Sequence, residues 1–268
     1  MKKPNRILLT GAAGALGTVL RTELRSWTPN LRITDRVRPA DARPEEEVIV
    51  CDLADRQAVL ELTRDVDVVV HMGGAVGGQL PFEEIVNSNY LGFFNLYEAC
   101  RKNGVKRIIW GSSNHAIGFY RRTQVLDSTV VPRPDSDYGV SKVFGETMAQ
   151  YYWDKYKLES VSIRIGSCFP KPTDIRMLAT WLSYADLVRL VKCCVQAARV
   201  EHTLIYGVSN NDEKLWDNRL ASHLGYRPKD NAEFYREEVE AAGVPIEPDD
   251  LAISVHGGGY AAMGPVEQ

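Results

Sequence analysis

Arg6-Ile7-Leu8-Leu9-Thr10-Gly11-Ala12-Ala13-Gly14-Ala15-Leu16-Gly17 decides the architecture of this chain. A short apolar strand runs into a TGxxGxxG turn, and a helical stretch then reaches about Ser26. Gly11 allows the tight turn, and Gly14 lets the backbone approach a pyrophosphate. Gly17 lets the helix pack closely on the strand, so that the first helix amides, at Ala15 and Leu16, face the anion. Glycine triplets arise by chance in flexible turns, and the context therefore carries the weight. A strand precedes, a helix follows, and a second strand, Leu31 to Asp35, ends in an acid at nearly the expected distance.

Asp35 can accept hydrogen bonds from the ribose hydroxyls of adenosine and repels the extra phosphate of NADP, which favours NAD. Arg36 and Arg38 beside it read either as solvated cations or as a phosphate site. Glu47 to Val50 forms the next strand and ends at Cys51-Asp52-Leu53, next to the adenine position. Asp52 there either holds the adenine amino group or caps the helix beginning near Asp55. Val66 to Val70 is a run of β-branched residues that reads as a buried strand leading into His71-Met72-Gly73-Gly74-Ala75. Gly73 and Gly74 permit close approach of a flat ligand, and His71 reads more readily as structural than as an acid or base. Phe82 to about Lys102 is one long helical stretch whose Asn89 faces either the site or solvent.

A strand ending in Arg107-Ile108-Ile109-Trp110 carries hydroxyls at Ser112 and Ser113 to its carboxyl end, where open α/β sheets bind ligands. About 25 residues later Tyr138 and Lys142 stand four apart, on one face of a helix. A free phenol has a pKa near 10, so its use as a base near neutrality requires stabilisation of roughly 4 kcal/mol. A nearby ammonium and a cationic nicotinamide could supply it. Tyr151 and Lys155 repeat the spacing but lie about 20 Å further along the helix axis, so Tyr151 reads as packing. A strand from Leu158 to Ile165, a helix from Tyr184 to Ala198, a strand from His202 to Tyr206 and a helix near Trp216 to Leu224 follow. From Arg227 acids, prolines and glycines accumulate, which predicts an irregular tail that reaches another subunit.

This alternation predicts an α/β fold with a doubly wound parallel sheet. It forms a single dinucleotide-binding domain over 1–268, with 168–268 contributing the substrate-side segment and the tail. The 268 residues are 44% hydrophobic, enough for one substantial core, and the net charge of −3 gives no drive toward nucleic acid. Five cysteines without a CxxC spacing argue for reduced thiols in a cytoplasmic protein and against disulfides or a metal site. Met1-Lys2-Lys3 and the apolar run to Leu20 imitate a secretory signal, but its three glycines argue otherwise, and no segment is apolar enough to span a membrane.

Taken together, TGAAGALG from Thr10, the acids at Asp35 and Asp52, the serine at Ser113 and YGVSK from Tyr138 resemble the extended short-chain dehydrogenase/reductases. More finely, SSNHAIGFY from Ser112, RPDSDYGVSK from Arg133 and RIGSCFPKPTDIRMLATWLSYAD from Arg164 are similar to members acting on uronic acids. The resemblance implies that Tyr138 is the proton acceptor, Lys142 its electrostatic partner and ribose ligand, and Ser113 the hydroxyl that orients the substrate. It implies that Ala75, Asn114, His115, Ser167 and Arg176 bind the sugar acid. Gly73, Gly74, Ala75, Asn89 and Cys168 join the phosphate loop, Asp35, Arg36, Asp52 and Leu53 around NAD. A guanidinium at Arg176 suits a carboxylate because it clamps in two places and is permanently charged. The usual tyrosine near the end of the serine motif is Ile117 here. The implied reaction is NAD-dependent oxidation of glucuronate or galacturonate at the anomeric carbon to a lactone, by a homo-oligomer without nucleic-acid or membrane partners. The competing readings are a nucleotide-sugar epimerase or dehydratase, and a non-catalytic NAD sensor.

Overall fold

A computed structural model describes residues 3–243 and 250–264. Met1 and Lys2 of the leader-like start, and residues 244–249 and 265–268 of the tail, lie outside the described residues. The apolar runs form β1 (Arg6–Thr10), β2 (Asn30–Asp35), β3 (Glu47–Val50), β4 (Val68–His71), β5 (Arg107–Ser113), β6 (Glu159–Ile165) and, after a short β7–β8 pair (Ser167–Cys168 and Trp181–Leu182), β9 (His202–Gly207). Seven of them make one parallel sheet in the order β3-β2-β1-β4-β5-β6-β9. The chain leaves β1 toward one edge and returns at β4 to build the other, so the reversal point lies between β1 and β4. Their carboxyl ends are where this topology opens a crevice.

Both faces of the sheet are covered, which is why its strands are apolar on both sides. Ile7 and Leu9 of β1 and Val68 and Val70 of β4 pack under α1 (Ala15–Trp27) and under α7 (Tyr184–Gln196), which follows the one-turn α6 (Met177–Thr180). Leu8, Val69, Ile108 and Trp110 pack on the other face with α2 (Arg56–Leu62), α4 (Phe93–Asn103) and α5 (Asp137–Tyr156). Fully buried Arg107 crosses the end of one layer. It pairs with Glu159, and its Nη1 donates to the carbonyls of Cys194, Val195 and Ala197 at 2.8, 3.2 and 2.9 Å, capping the carboxyl end of α7.

Three elements differ from their sequence readings. The helix expected from Phe82 to Lys102 is broken: α3 (Phe82–Ile85) passes into a π-helical turn, Val86–Gly92, before α4 begins. The wider turn aims Asn89 inward, a placement the apolar pattern does not encode. The helix expected near Trp216 is a 3-10 segment, Arg219–Leu224. The tail expected to be irregular contains α8 (Arg236–Ala242), α9 (Leu251–Ser254) and α10 (Gly259–Ala262), and its last described stretch folds back on its own chain. There, Arg122 N–H donates to Ser254 O, His256 N–H to Tyr120 O and Gly257 N–H to Gly118 O, in antiparallel sense. Among the described residues no helix is long and apolar enough to cross a membrane.

Candidate active site

Two contiguous cavities follow the carboxyl ends of the strands, of about 740 and 620 Å³, and share Gly11, Gly14, Met72, Gly73 and Gly74. The first runs over the β1–α1 turn. Gly11 has φ +71°, and a Cβ on Gly17 would sit 2.0 Å from Gly11 O, so the helix can lie this close to the turn only with glycine there. Helix α1 starts without a side-chain cap and with no acid in its first turn, leaving its leading amides, at Ala15 and Leu16, open to an anion. Asp35 ends β2 on the cavity wall. One carboxylate oxygen accepts from Ala13 N–H at 2.9 Å and the other from Arg36 N–H at 2.7 Å, which fixes its orientation while leaving lone pairs for a ligand. The Arg36 side chain is exposed and leans toward Glu84 at 3.9 Å.

Asp52 and Leu53 line the same wall. The cap of α2 is Asp55, which accepts from the amides of Gln57 and Ala58, so Asp52 is not engaged in capping that helix. Ala75 and Asn89 are not among the lining residues. The amide of Asn89 accepts from Ala75 N–H at 2.8 Å and donates to Ala75 O at 2.9 Å and to Ser141 Oγ at 3.0 Å. It holds the loop behind Gly73, Gly74 and Val76, which form the wall there. His71 is buried against Thr10 Oγ1 at 2.6 Å, and burial pushes its pKa down to about 3, in keeping with a structural role.

The second cavity brings together Ser113, Tyr138 and Lys142. Ser113 ends β5 and caps the following 3-10 turn, Asn114–Ile117, by accepting from His115 N–H. Ser136 caps α5 by accepting from Gly139 N–H, and Tyr138 enters in the first turn. Burial raises the pKa of the Tyr138 phenol, and the neighbouring Ser113 hydroxyl acts against that only in part. Lys142 Nζ donates to Gly111 O at 2.8 Å and lies 5.2 Å from the Tyr138 ring centre. Burial pushes its pKa down to about 8 against the attraction of Glu146 one turn on. Glu146 is itself buried, paired in two places with Arg164 and accepting from Ser112 Oγ at 2.7 Å. The second tyrosine–lysine pair stays away from the site. Tyr151, however, is exposed rather than packed, because one residue of helix rotation gives the inward face to Tyr152.

Arg176, Ser167, Asn114 and His115 close the far side, with Cys168 alongside. Arg176 makes no ion pair among the described residues, and burial lowers its pKa. Its Nε and Nη2 donate to the main-chain oxygen of His256 at 3.0 and 2.8 Å, and Nη1 donates to Ser167 Oγ at 3.0 Å. Of the five N–H groups of a guanidinium, one remains on each terminal nitrogen, enough for a two-point contact with a carboxylate. His115 Nδ1 meets the buried carboxylate of Asp135 at 2.8 Å. The arrangement can orient a hydroxyl between Ser113 and Tyr138, hold an anion at Arg176, and lay a dinucleotide along the glycine turn.

The model of the NAD dependent epimerase/dehydratase family matches residues 7–197. The chain belongs to that family. Within the epimerase/dehydratase family it is similar to the uronate dehydrogenase of Pseudomonas putida, at 52% identity over 97% of each chain. Among solved structures it is similar to the glucuronic acid dehydrogenase from Chromohalobacter salexigens, with 46% identity, a TM-score of 0.95, and coverage of 97% of this chain and 98% of that one. A variant of uronate dehydrogenase from Agrobacterium tumefaciens, solved in complex with NAD, gives 42% identity and a TM-score of 0.95 over 98% and 99% of the two chains.

Beyond what the epimerase/dehydratase motifs point to, the structure adds residues that sequence reasoning missed. Tyr260 stacks on His115 with ring centres 4.0 Å apart, and Gly257, Gly259 and Met263 line the cavity beside it. Asp135 orients His115 from below. The signal was available as His256-Gly257-Gly258-Gly259-Tyr260, three glycines between two rings, which marks close backbone approach as readily as an irregular tail.

Proposed function

We propose that this protein oxidises a hexuronic acid, glucuronate or galacturonate, at its anomeric carbon with NAD, giving the lactone. The observation that carries this reading is Arg176, an enclosed guanidinium with no acid partner among the described residues and with two N–H groups left over by its described contacts, on the same cavity wall as Ser113, Tyr138 and Lys142. The similarity to uronate dehydrogenases over nearly the whole chain supports it.

The phosphate loop at Gly11, Gly14 and Gly17, the carboxylates of Asp35 and Asp52, and the wall at Leu53, Gly73 and Gly74 would hold the dinucleotide. Bound there, the dinucleotide would supply the acceptor for the hydride that leaves the anomeric carbon. The protein's own groups handle the proton. Ser113 donates to the anomeric oxygen, and Tyr138, as the phenolate that neighbouring positive charge stabilises against its burial, takes the hydroxyl proton and becomes the phenol as negative charge grows there. Lys142 keeps an ammonium beside the phenol. Arg176 takes the carboxylate, while Ser167, His115 and Asn114 shape the far wall. Asn89 and Ala75 act at one remove, by fixing the loop under Gly73 and Gly74. Residues 168–268 form the substrate side of one domain spanning 1–268. The protein works in the cytoplasm and as a homo-oligomer; the association is supported by Leu91, Phe94, Val140 and Tyr151, which are exposed apolar residues along the outer faces of the π turn, α4 and α5.

The test is NADH formation with glucuronate and galacturonate, set against glucose and galactose. Turnover of the acids with little of the neutral sugars is expected. No turnover of either acid, with NAD bound normally, would favour a sensor, and turnover confined to nucleotide sugars would favour an epimerase or dehydratase.

A further inference from the structure

We infer that the turn His256-Gly257-Gly258 is a specificity-determining element: its His256 carbonyl fixes which nitrogens of Arg176 face the substrate, and so sets the preference for a carboxylate over an uncharged group. The inference rests on the reading of Arg176 as the anion clamp.

Three donors converge on this single oxygen, Arg176 Nε at 3.0 Å, Arg176 Nη2 at 2.8 Å and Asn114 Nδ2 at 3.1 Å. A carbonyl oxygen has two lone pairs, so the site is saturated. One whole edge of the guanidinium is thereby removed from competition, and the remaining N–H groups are confined to the terminal nitrogens. An arginine free to turn would offer a carboxylate either edge and would lose rotamer freedom on binding; one already pinned loses little.

The pin is itself held in place. The imidazole of His256 is fully buried, and Trp216 Nε1–H donates to its Nδ1 at 2.9 Å. That bond assigns the ring proton to Nε2, which lies 3.2 Å from the carbonyls of Arg121 and Gln124. The ring therefore has partners on both nitrogens in one tautomer, and Trp216 is stacked on Tyr206 in turn. The two following glycines are required by contact. A Cβ on Gly257 would lie 1.7 Å from Asp135 Oδ2, and one on Gly258 would lie 2.6 Å from Arg176 Cδ and Nε. Gly258 also has φ +64°, a conformation that alanine adopts only with strain.

The experiment compares glucuronate with its uncharged amide as substrates of the full-length protein, in the wild type, Gly258→Ala, Trp216→Phe and, as control, Gly264→Ala, whose added methyl meets nothing within 4 Å among the described residues. Gly258→Ala is expected to lower the acid-to-amide ratio of kcat/KM by about tenfold or more, mostly through KM for the acid, with NAD affinity unchanged. Trp216→Phe, which keeps an aromatic ring but loses the N–H and the second ring of the indole, should shift the ratio the same way by less, and Gly264→Ala should match the wild type. A merely structural tail would lower turnover of both substrates equally, and that result, or an unchanged ratio in both folded variants, overturns the inference. Wild type oxidising acid and amide equally well would instead remove Arg176 as the anion clamp, and wild type oxidising neither would remove the proposed activity; either takes this inference with it.

Discussion

Replacing Lys142 with methionine removes an ammonium that the fold holds at a disadvantage. Burial takes its pKa from 10.5 to about 8, which at about 1.4 kcal/mol per pH unit amounts to roughly 3 kcal/mol. The sign follows from which state releases its proton first. Below pH 8 both the native and the unfolded chain carry the charge, and the native state bears the whole penalty. Between about pH 8 and 10.5 the native amine is neutral while the unfolded one is still charged, so unfolding takes up a proton and native stability rises with pH. Above 10.5 both are neutral and the penalty is gone. Urea unfolding of wild type and Lys142→Met, measured in parallel from about pH 7 to above 10.5, isolates this contribution, because every other titrating group cancels in the difference. The wild type should gain roughly 3 kcal/mol on the variant across that window. The variant also leaves Gly111 O without its donor, at about 1–3 kcal/mol, but that loss is independent of pH and moves the offset rather than the slope. A difference that stays flat across the window would refute the claim that Lys142 is held as a desolvated ammonium. The penalty is what the fold incurs by enclosing a cation 5.2 Å from the Tyr138 ring, the arrangement that the proposed mechanism uses.

Tyr138→Phe should lower turnover by about 10²–10⁴-fold while NAD affinity, read by fluorescence quenching, stays near wild type; a smaller loss would move the base elsewhere. Gly17→Ala forces a methyl to within 2.0 Å of Gly11 O and 2.8 Å of Ala12 Cα. NAD should then no longer raise its thermal midpoint, and a normal NAD-induced shift would contradict the contact. Arg107→Met leaves Glu159 without its partner and three carbonyls at the end of α7 uncapped, and should reduce unfolding free energy by about 3–5 kcal/mol in urea with little change in KM.

The sheet and the cofactor loop were legible in the sequence because both depend on local pattern. The β-branched run ending at Val70 could only be a buried strand, and the glycine triplet between a strand and a helix could serve few other ends. Asp35, Ser113, Tyr138 and Lys142 were legible for the same reason, since each sits at a fixed offset from such an element. What escaped depends on contacts between distant parts of the chain. The residues from Val255 to Tyr260 acquire meaning only when they lie along Gly118 to Arg122, more than 130 residues earlier in the chain. Sequence chemistry pointed to Arg176 as a clamp, but not to the edge it presents, because the atom that decides this is a main-chain oxygen with no side-chain signature. For the phenol of Tyr138 the sequence chemistry calls on two cations, a nearby ammonium and a nicotinamide, whereas the burial that raises its pKa comes from the surrounding fold and has no local sequence signature.

The π turn at Val86–Gly92 has a consequence for how this chain tolerates changes in length. A helix advances about 100° per residue, so losing one residue ordinarily rotates everything on one side of the gap out of register. A π turn already holds one residue more than an α-helical path needs. Deleting Ser88 would let α3 and α4 fuse into a regular helix with better hydrogen bonding, leaving the packing of α4 on the sheet intact. The damage would fall on Asn89 and the loop it grips at Ala75. A one-residue deletion, ordinarily among the most disruptive lesions in a helix, would here leave a stable protein with a loosened cofactor wall. Length variation at this one position is therefore a route by which sequence drift could alter function without touching the core.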